Sequence, residues 1–166
     1  MTRRARRSVK KPATRNARPL SRLIVNRADL LEKHMDRIQR LVTVSEDGAI
    51  LMTGIDVGRM LESETLNAAQ KLILVHLLGK ACARELGLAE HEGSTLGELK
   101  RVVAGLLMDV EDDEVMRYLG QLIRDGLVGY SERGIYVVNY LRLSDVLGFI
   151  EGELEDGKEV VGGPQG

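Results

Sequence analysis

The chain has 166 residues, a formal net charge of −1 and one Cys, one Phe and no Trp; this is enough for one compact domain with its own core. A single cysteine excludes an internal disulfide framework and fits a reducing compartment. No apolar run reaches the ~18 residues needed to cross a bilayer, since Leu72 to Leu78 is interrupted by His76 and followed by Lys80, so the expectation is no membrane and a cytoplasmic, nucleoid-associated location.

The near-neutral total hides a segregation of charge. Residues 1–27 hold ten of the 24 Lys and Arg and none of the 25 acids, which leaves 14 cations against 25 acids in the rest of the chain. The ten are Arg3, Arg4, Arg6, Arg7, Lys10, Lys11, Arg15, Arg18, Arg22 and Arg27, interrupted by Pro12 and Pro19. Such a stretch has too little apolar surface to offset the entropy of ordering, and reads as an arm that is disordered until it meets a polyanion. Basic terminal blocks most often serve nucleic acid. Organellar transit segments are also Arg-rich, but they are amphipathic helices, and two prolines with few large apolar residues argue against that.

After Asp29, a candidate N-cap, Leu30, Leu31, Met35, Ile38 and Leu41 recur at helical spacing and predict one amphipathic helix over 30–41. Leu31 with Ile38 and His34 with Leu41 are seven apart, as in a short homodimer seam, but under two heptads do not establish a coiled coil, and packing onto the body is favoured. Val42–Val44 and Ala49–Thr53 flank Ser45-Glu46-Asp47-Gly48, a hairpin pattern. From Glu64 to Leu86 the positions Leu66, Ala69, Leu72, Ile73, Leu77, Leu78, Ala81, Cys82 and Leu86 make a wide stripe on a central helix ending at Gly87. Thr95-Leu96-Gly97-Glu98 has capping-box spacing and opens a second helix through Val103 and Leu106. Val115, Leu119, Leu122 and Ile123 mark a third, stopping at Asp125-Gly126. Leu127–Tyr130 and Ile135–Val138 are β-rich runs around the loop Ser131 to Gly134. A last helix from Ser144 to about Leu154 carries Val146, Leu147 and Ile150 on one side.

Three helices closed by a two-stranded wing, with Leu119-Gly120-Gln121-Leu122-Ile123-Arg124-Asp125-Gly126-Leu127-Val128 at the junction, resemble the winged helix-turn-helix superfamily, and the arrangement is similar to small archaeal-type DNA-binding regulators and chromatin-associated proteins. The match covers residues 64 to 142. The fold class expected is therefore α+β, mainly α. It divides into a disordered basic arm (1–27), a helix plus short β-hairpin (28–62), a winged-helix domain (63–142), a C-terminal helix (143–155) and a flexible tail (156–166). Leu119, Leu122 and Ile123 are expected to fill the core, and Gly126 to permit the left-handed turn into the wing.

The resemblance implies that the third helix enters the major groove and that the wing touches the backbone. It places Arg117 and Gln121, one turn apart, on the nucleic-acid face, with Tyr118 and Arg124 near them and Arg133 at the wing tip. Glu111-Asp112-Asp113-Glu114 oppose this docking. At an effective dielectric near 20, unit charges ~6 Å apart interact by roughly 3 kcal/mol, against ~1–3 kcal/mol from one good base contact. Those acids stabilise a helix start through its dipole; the alternative is a surface for a basic partner protein or for the chain's own arm.

No phosphate loop, paired-Cys spacing or His-Glu-x-x-His run is present, so no enzyme activity, cofactor or metal site is expected. His34, His76 and His91 are scattered and read as structural, and Cys82 as a small core hydrophobe. A calcium loop beginning at Asp109 would need Gly and Glu where Glu114 and Gly120 stand. The leading expectation is a nucleic-acid-binding protein, on duplex DNA before RNA, acting as a transcriptional regulator or chromatin-associated factor whose arm supplies phosphate contacts. Tyr118, Tyr130, Tyr136, Tyr140 and Phe149 are too few for a convincing single-strand stacking platform. The alternative is a winged-helix protein-interaction module tethered to RNA or the ribosome by the arm.

Overall fold

The computed structural model describes residues 20, 23–24, 26–52, 68–106 and 110–151. Over these the chain is mainly helical with two small antiparallel sheets. In order, the elements are α1 (Arg27–Lys33), α2 (Met35–Ile38), β1 (Thr43–Val44), β2 (Ile50–Leu51), α3 (Ala68–Glu85), α4 (Leu96–Leu106), α5 (Asp112–Arg124), β3 (Val128–Tyr130) and β4 (Tyr136–Val138). A 3₁₀ turn over Tyr140–Arg142 leads into α6, residues 143–151. The arm cations from Arg3 to Arg22, the strand end at Thr53, the helix start at 64–67, Leu154 and the tail 156–166 lie outside the described residues.

The first helix differs from the expectation in two ways. It starts at Arg27, because the Asn26 side chain accepts the Asp29 backbone N–H at 3.1 Å and is the N-cap; Asp29 sits in the first turn, where its charge suits the dipole. The helix also breaks at His34, whose N–H turns back to the Leu31 carbonyl at 3.1 Å, so that α1 and α2 replace one continuous rod. Leu31 and Ile38 are each 2% exposed and pack into the body, which removes them as a dimer seam. Leu31 and Ile38 both stay buried across the break, so the apolar spacing does not register it.

β1 and β2 pair with Thr43 opposite Leu51 and Val44 opposite Ile50. The turn is tied locally: Gly48 donates to the Ser45 carbonyl at 2.9 Å, and Ala49 N–H to Ser45 Oγ at 3.1 Å. The hairpin lies on α3 at Gly79, where an added Cβ would stand 2.5 Å from Ile50 Cγ2.

α3 is the axis of the molecule. Leu72, Ile73, Leu74, Val75, Leu77 and Leu78 are all 0% exposed, so the helix is buried nearly all round rather than along the predicted stripe. It is flanked by α1, α4, α5, both strands of the hairpin and β4. Leu86, predicted to extend the stripe, is 65% exposed instead. The reason is the helix end: the N–H groups of Gly87 and Leu88 bond back to Arg84 O and Ala83 O at 3.0 and 2.8 Å, which closes α3 at Glu85 and turns Leu86 outward.

The predicted capping box opens α4, with Thr95 N–H on Glu98 Oε1 at 2.9 Å and Glu98 N–H on Thr95 Oγ1 at 3.2 Å. α5 buries Val115, Leu119 and Leu122 and closes through Gly126 (φ +79°), with Gly126 N–H on Ile123 O and Leu127 N–H on Leu122 O. Ile123, expected in the core, is 38% exposed, since only one edge of α5 faces inward. β3 and β4 pair from Val128–Val138 to Tyr130–Tyr136. Ser94, just ahead of α4, adds a bridge to β4: Ser94 N–H to Tyr136 O at 3.0 Å and Tyr136 N–H to Ser94 O at 2.8 Å.

α6 buries Leu143, Val146, Leu147 and Ile150, which join the same apolar cluster as Leu31, Ile38, Ile73, Leu99 and Leu119. The Arg37 guanidinium grips both oxygens of Glu151, at 2.6 and 3.3 Å, and ties α2 to α6. The described parts of the segments on either side of 63–142 thus share its core.

Candidate nucleic-acid interface

The predicted site residues fall in three places. The arm cations Arg3, Arg4, Arg6, Arg7, Lys10, Lys11, Arg15, Arg18 and Arg22 lie outside the described residues. Arg27 does not belong with them. It is the first residue of α1, pairs with Glu92 at 3.6 Å and stacks 5.0 Å from the centroid of the Tyr140 ring. Together with Tyr130, Ser131 and Tyr140 it lines a surface depression of about 460 Å³, so the start of α1 is fixed beside the β3–β4 hairpin. Tyr140 is buried, its hydroxyl has no hydrogen-bond partner among the described residues, and burial pushes its pKa up to about 12 against the opposing pull of Arg27.

On α5, Arg117 and Arg124 are exposed, seven residues and about two turns apart, and so share a face. The Arg117 guanidinium lies 5.9 Å from the Tyr118 ring centroid, which orients it without removing it from solvent. Gln121 is only partly available. Its Oε1 accepts from Gln70 Nε2 at 2.9 Å, and the same Gln70 amide donates to the Tyr118 carbonyl at 3.1 Å. Gln70 is 5% exposed, so this is how a buried amide on α3 is satisfied. Sequence reasoning missed Gln70 because a polar residue between stripe positions of a helix reads as solvent-facing.

In the β3–β4 loop Arg133 is exposed, and its backbone N–H is held by Ser131 Oγ at 3.2 Å. Behind it Tyr130 and Tyr136 pack with ring centroids 4.6 Å apart, and Tyr130 remains 59% exposed. Arg142, absent from the expected set, braces the α5 end from behind, donating to the Asp125 carbonyl at 3.0 Å and to Asp145 at 2.7 Å. No sequence signal marks that contact.

The acids ahead of α5 divide. Glu111 and Glu114 form a capping box, the Glu114 carboxylate accepting the Glu111 backbone N–H at 3.1 Å, and Asp112 pairs with Lys100 at 2.9 Å, whereas Asp113 is exposed at the helix start. Glu111, Asp112 and Glu114 are therefore engaged by the fold while Glu111 and Asp112 still face solvent.

Two further titratable groups, His76 and Cys82, are shifted by burial. His76 Nε2 lies 3.1 Å from Ser94 Oγ, a spacing seen in nucleophilic pairs, but Ser94 is 1% exposed and out of reach of a substrate. Burial, with Lys80 adding to it and Glu98 opposing, pushes His76 down to about 4. Burial and the nearby Glu85 push the Cys82 thiol up to about 11, which makes it a poor nucleophile. Among the described residues no group of three or more His, Cys, Asp or Glu could hold a metal ion, and no helix is long and apolar enough to cross a membrane. Compared with known protein families, with curated proteins and with solved structures, the chain matches none of them.

Proposed function

We propose that the chain is a winged-helix protein that binds duplex DNA without catalysing a reaction, with the basic arm supplying most of the affinity and the body supplying shape and register. The observation that carries this reading is the fixed root of the arm: Arg27 sits in the same depression as Tyr130 and Ser131, next to the wing that bears Arg133. Arg27 is therefore held on the β3–β4 side of the body, where Arg133 is exposed. In support of the winged-helix reading, α3, α4 and α5 are followed by the β3–β4 hairpin, and the Ser94–Tyr136 bridge stitches the start of α4 to it. Transcriptional regulation or chromosome organisation, at the nucleoid, would follow from such binding.

Phosphate contacts predict a steep salt dependence. With about six arm cations on phosphates, the log–log slope of affinity against salt is expected near −5. Because Asn26 caps α1 and Arg27 is part of the fold, the informative deletion is residues 1–25, which leaves both in place. It is expected to abolish most of the slope; a slope unchanged by the deletion would refute the reading.

Exposed Glu111 and Asp113 at the start of α5 favour a second reading, a protein-docking body tethered to RNA by the arm. Tighter binding to duplex RNA than to duplex DNA, with no effect of Glu111→Gln and Asp113→Asn on either, would select it.

A further inference from the structure

The burial of α3 has one gap. From Ala68 to Ala81 every residue is buried except His76 and Lys80, which stand one turn apart on a single side. That side opens on a cleft of about 860 Å³ between the β1–β2 hairpin, α3 and α4, a size usual for a small-molecule site. None of the residues in its wall is buried, so the space is not part of the core.

The wall is chemically divided. Ile50 and Met52, at the end of the hairpin, and Val102 on α4 give an aliphatic surface, and no aromatic ring is among the lining residues. Lys80 and Arg101 bring two positive charges to the same space, and among the described residues neither forms an ion pair. Lys80 is half-buried, and an ammonium in that position without a counter-charge is costly to hold, a cost that an incoming anion relieves. Glu98 is the one acid in the wall, and its carboxylate already accepts the Thr95 backbone N–H at 2.9 Å. Two cations against one carboxylate leave a single positive charge, which suits a monoanion; a doubly charged head would stand unbalanced beside Glu98.

We propose that this cleft binds a small aliphatic monocarboxylate, its head group answering Lys80 and Arg101 and its tail lying along Ile50, Met52 and Val102. The aliphatic wall without an aromatic ring selects the tail, and the surplus charge selects the head. The inference does not depend on nucleic-acid binding.

Calorimetric titration of the full-length chain with octanoate, without nucleic acid, tests it. One site is expected, with a Kd of about 1 mM or tighter. 1-Octanol, which keeps the tail and lacks the charge, and inorganic phosphate, which carries charge without a tail, are expected not to displace it at equal concentration. Lys80→Met and Arg101→Gln are each expected to weaken octanoate roughly tenfold, the loss of one hydrogen bond between charged groups, with the thermal midpoint unchanged. The unsubstituted protein gives a second readout. Of the three histidines only His76 lines the cleft, so octanoate is expected to move the His76 ring resonances in NMR spectra, assigned with His76→Gln, and to leave those of His34 and His91 in place. Absence of binding overturns the proposal. So does displacement of octanoate by octanol or phosphate, an affinity that survives both substitutions, or a shift at His34 or His91 without one at His76.

Discussion

α3 and α5 belong to one apolar cluster, yet they are opposite kinds of helix. From Leu72 to Leu78 α3 keeps six side chains at 0% exposure, whereas α5 buries Val115, Leu119 and Leu122 and leaves Met116 and Ile123 51% and 38% exposed beside Arg117 and Arg124. Both are helical and rich in aliphatic residues, so composition does not separate them. What separates them is the number of neighbours: α3 is wrapped by elements from both ends of the chain, and α5 has them on one edge. A helix enclosed all round is scaffold, and one held along a single edge offers a surface.

Substitutions should follow that division. The largest loss is expected from Leu77→Ala in α3, about 2–5 kcal/mol in denaturant unfolding, because a fully enclosed site leaves a cavity. Ile123→Ala in α5 is expected within about 0.5 kcal/mol, and an equal loss at both positions would break the contrast.

Next comes acid. The folded pKa of His76, about 4, lies below its ordinary 6.5, so the neutral form is the one the fold favours. The stabilisation is present above pH 6.5 and is lost as pH falls toward 4, by on the order of 3 kcal/mol at most. Urea midpoints across that range should fall in the wild type and stay flatter in His76→Gln.

Gln70→Ala, which leaves the Tyr118 carbonyl and the Gln121 oxygen without their donor, is expected to cost about 1–3 kcal/mol. The smallest effects belong to the exposed face of α5 and the β3–β4 loop. Arg117→Ala and Arg133→Ala should each leave stability unchanged and lower the salt slope of DNA binding by about 1. Gln121→Ala, its oxygen turned toward Gln70, should leave the slope alone.

Features written within a few residues were legible in the sequence. The Ser45–Gly48 turn, the Thr95–Glu98 capping box, the α5 stop at Gly126 and the β3–β4 strands all rest on local hydrogen bonds or backbone geometry that particular residue types select. The break at His34 was not, because Leu31 and Ile38 both stay buried across it. Nor was the enclosure of α3, since Leu74 and Val75 count as core only when elements distant in sequence arrive on their side. The Ser94–Tyr136 bridge, the Gln70–Gln121 contact and the Arg142 brace join residues far apart in the chain, with no motif at either partner. Arg27 shows the same limit at the candidate site. Charge alone groups it with the arm, and only Glu92 and Tyr140 reveal that it is a fixture of the body.

That fixture sets a radius. Arg3 stands 24 residues ahead of Arg27, and a polypeptide drawn out straight covers at most about 3.5 Å per residue, so Arg3 can act no farther than about 84 Å from the Tyr140 flank. On a duplex, whose helical turn is roughly 34–36 Å, this confines its footprint to about two and a half turns on either side of the body.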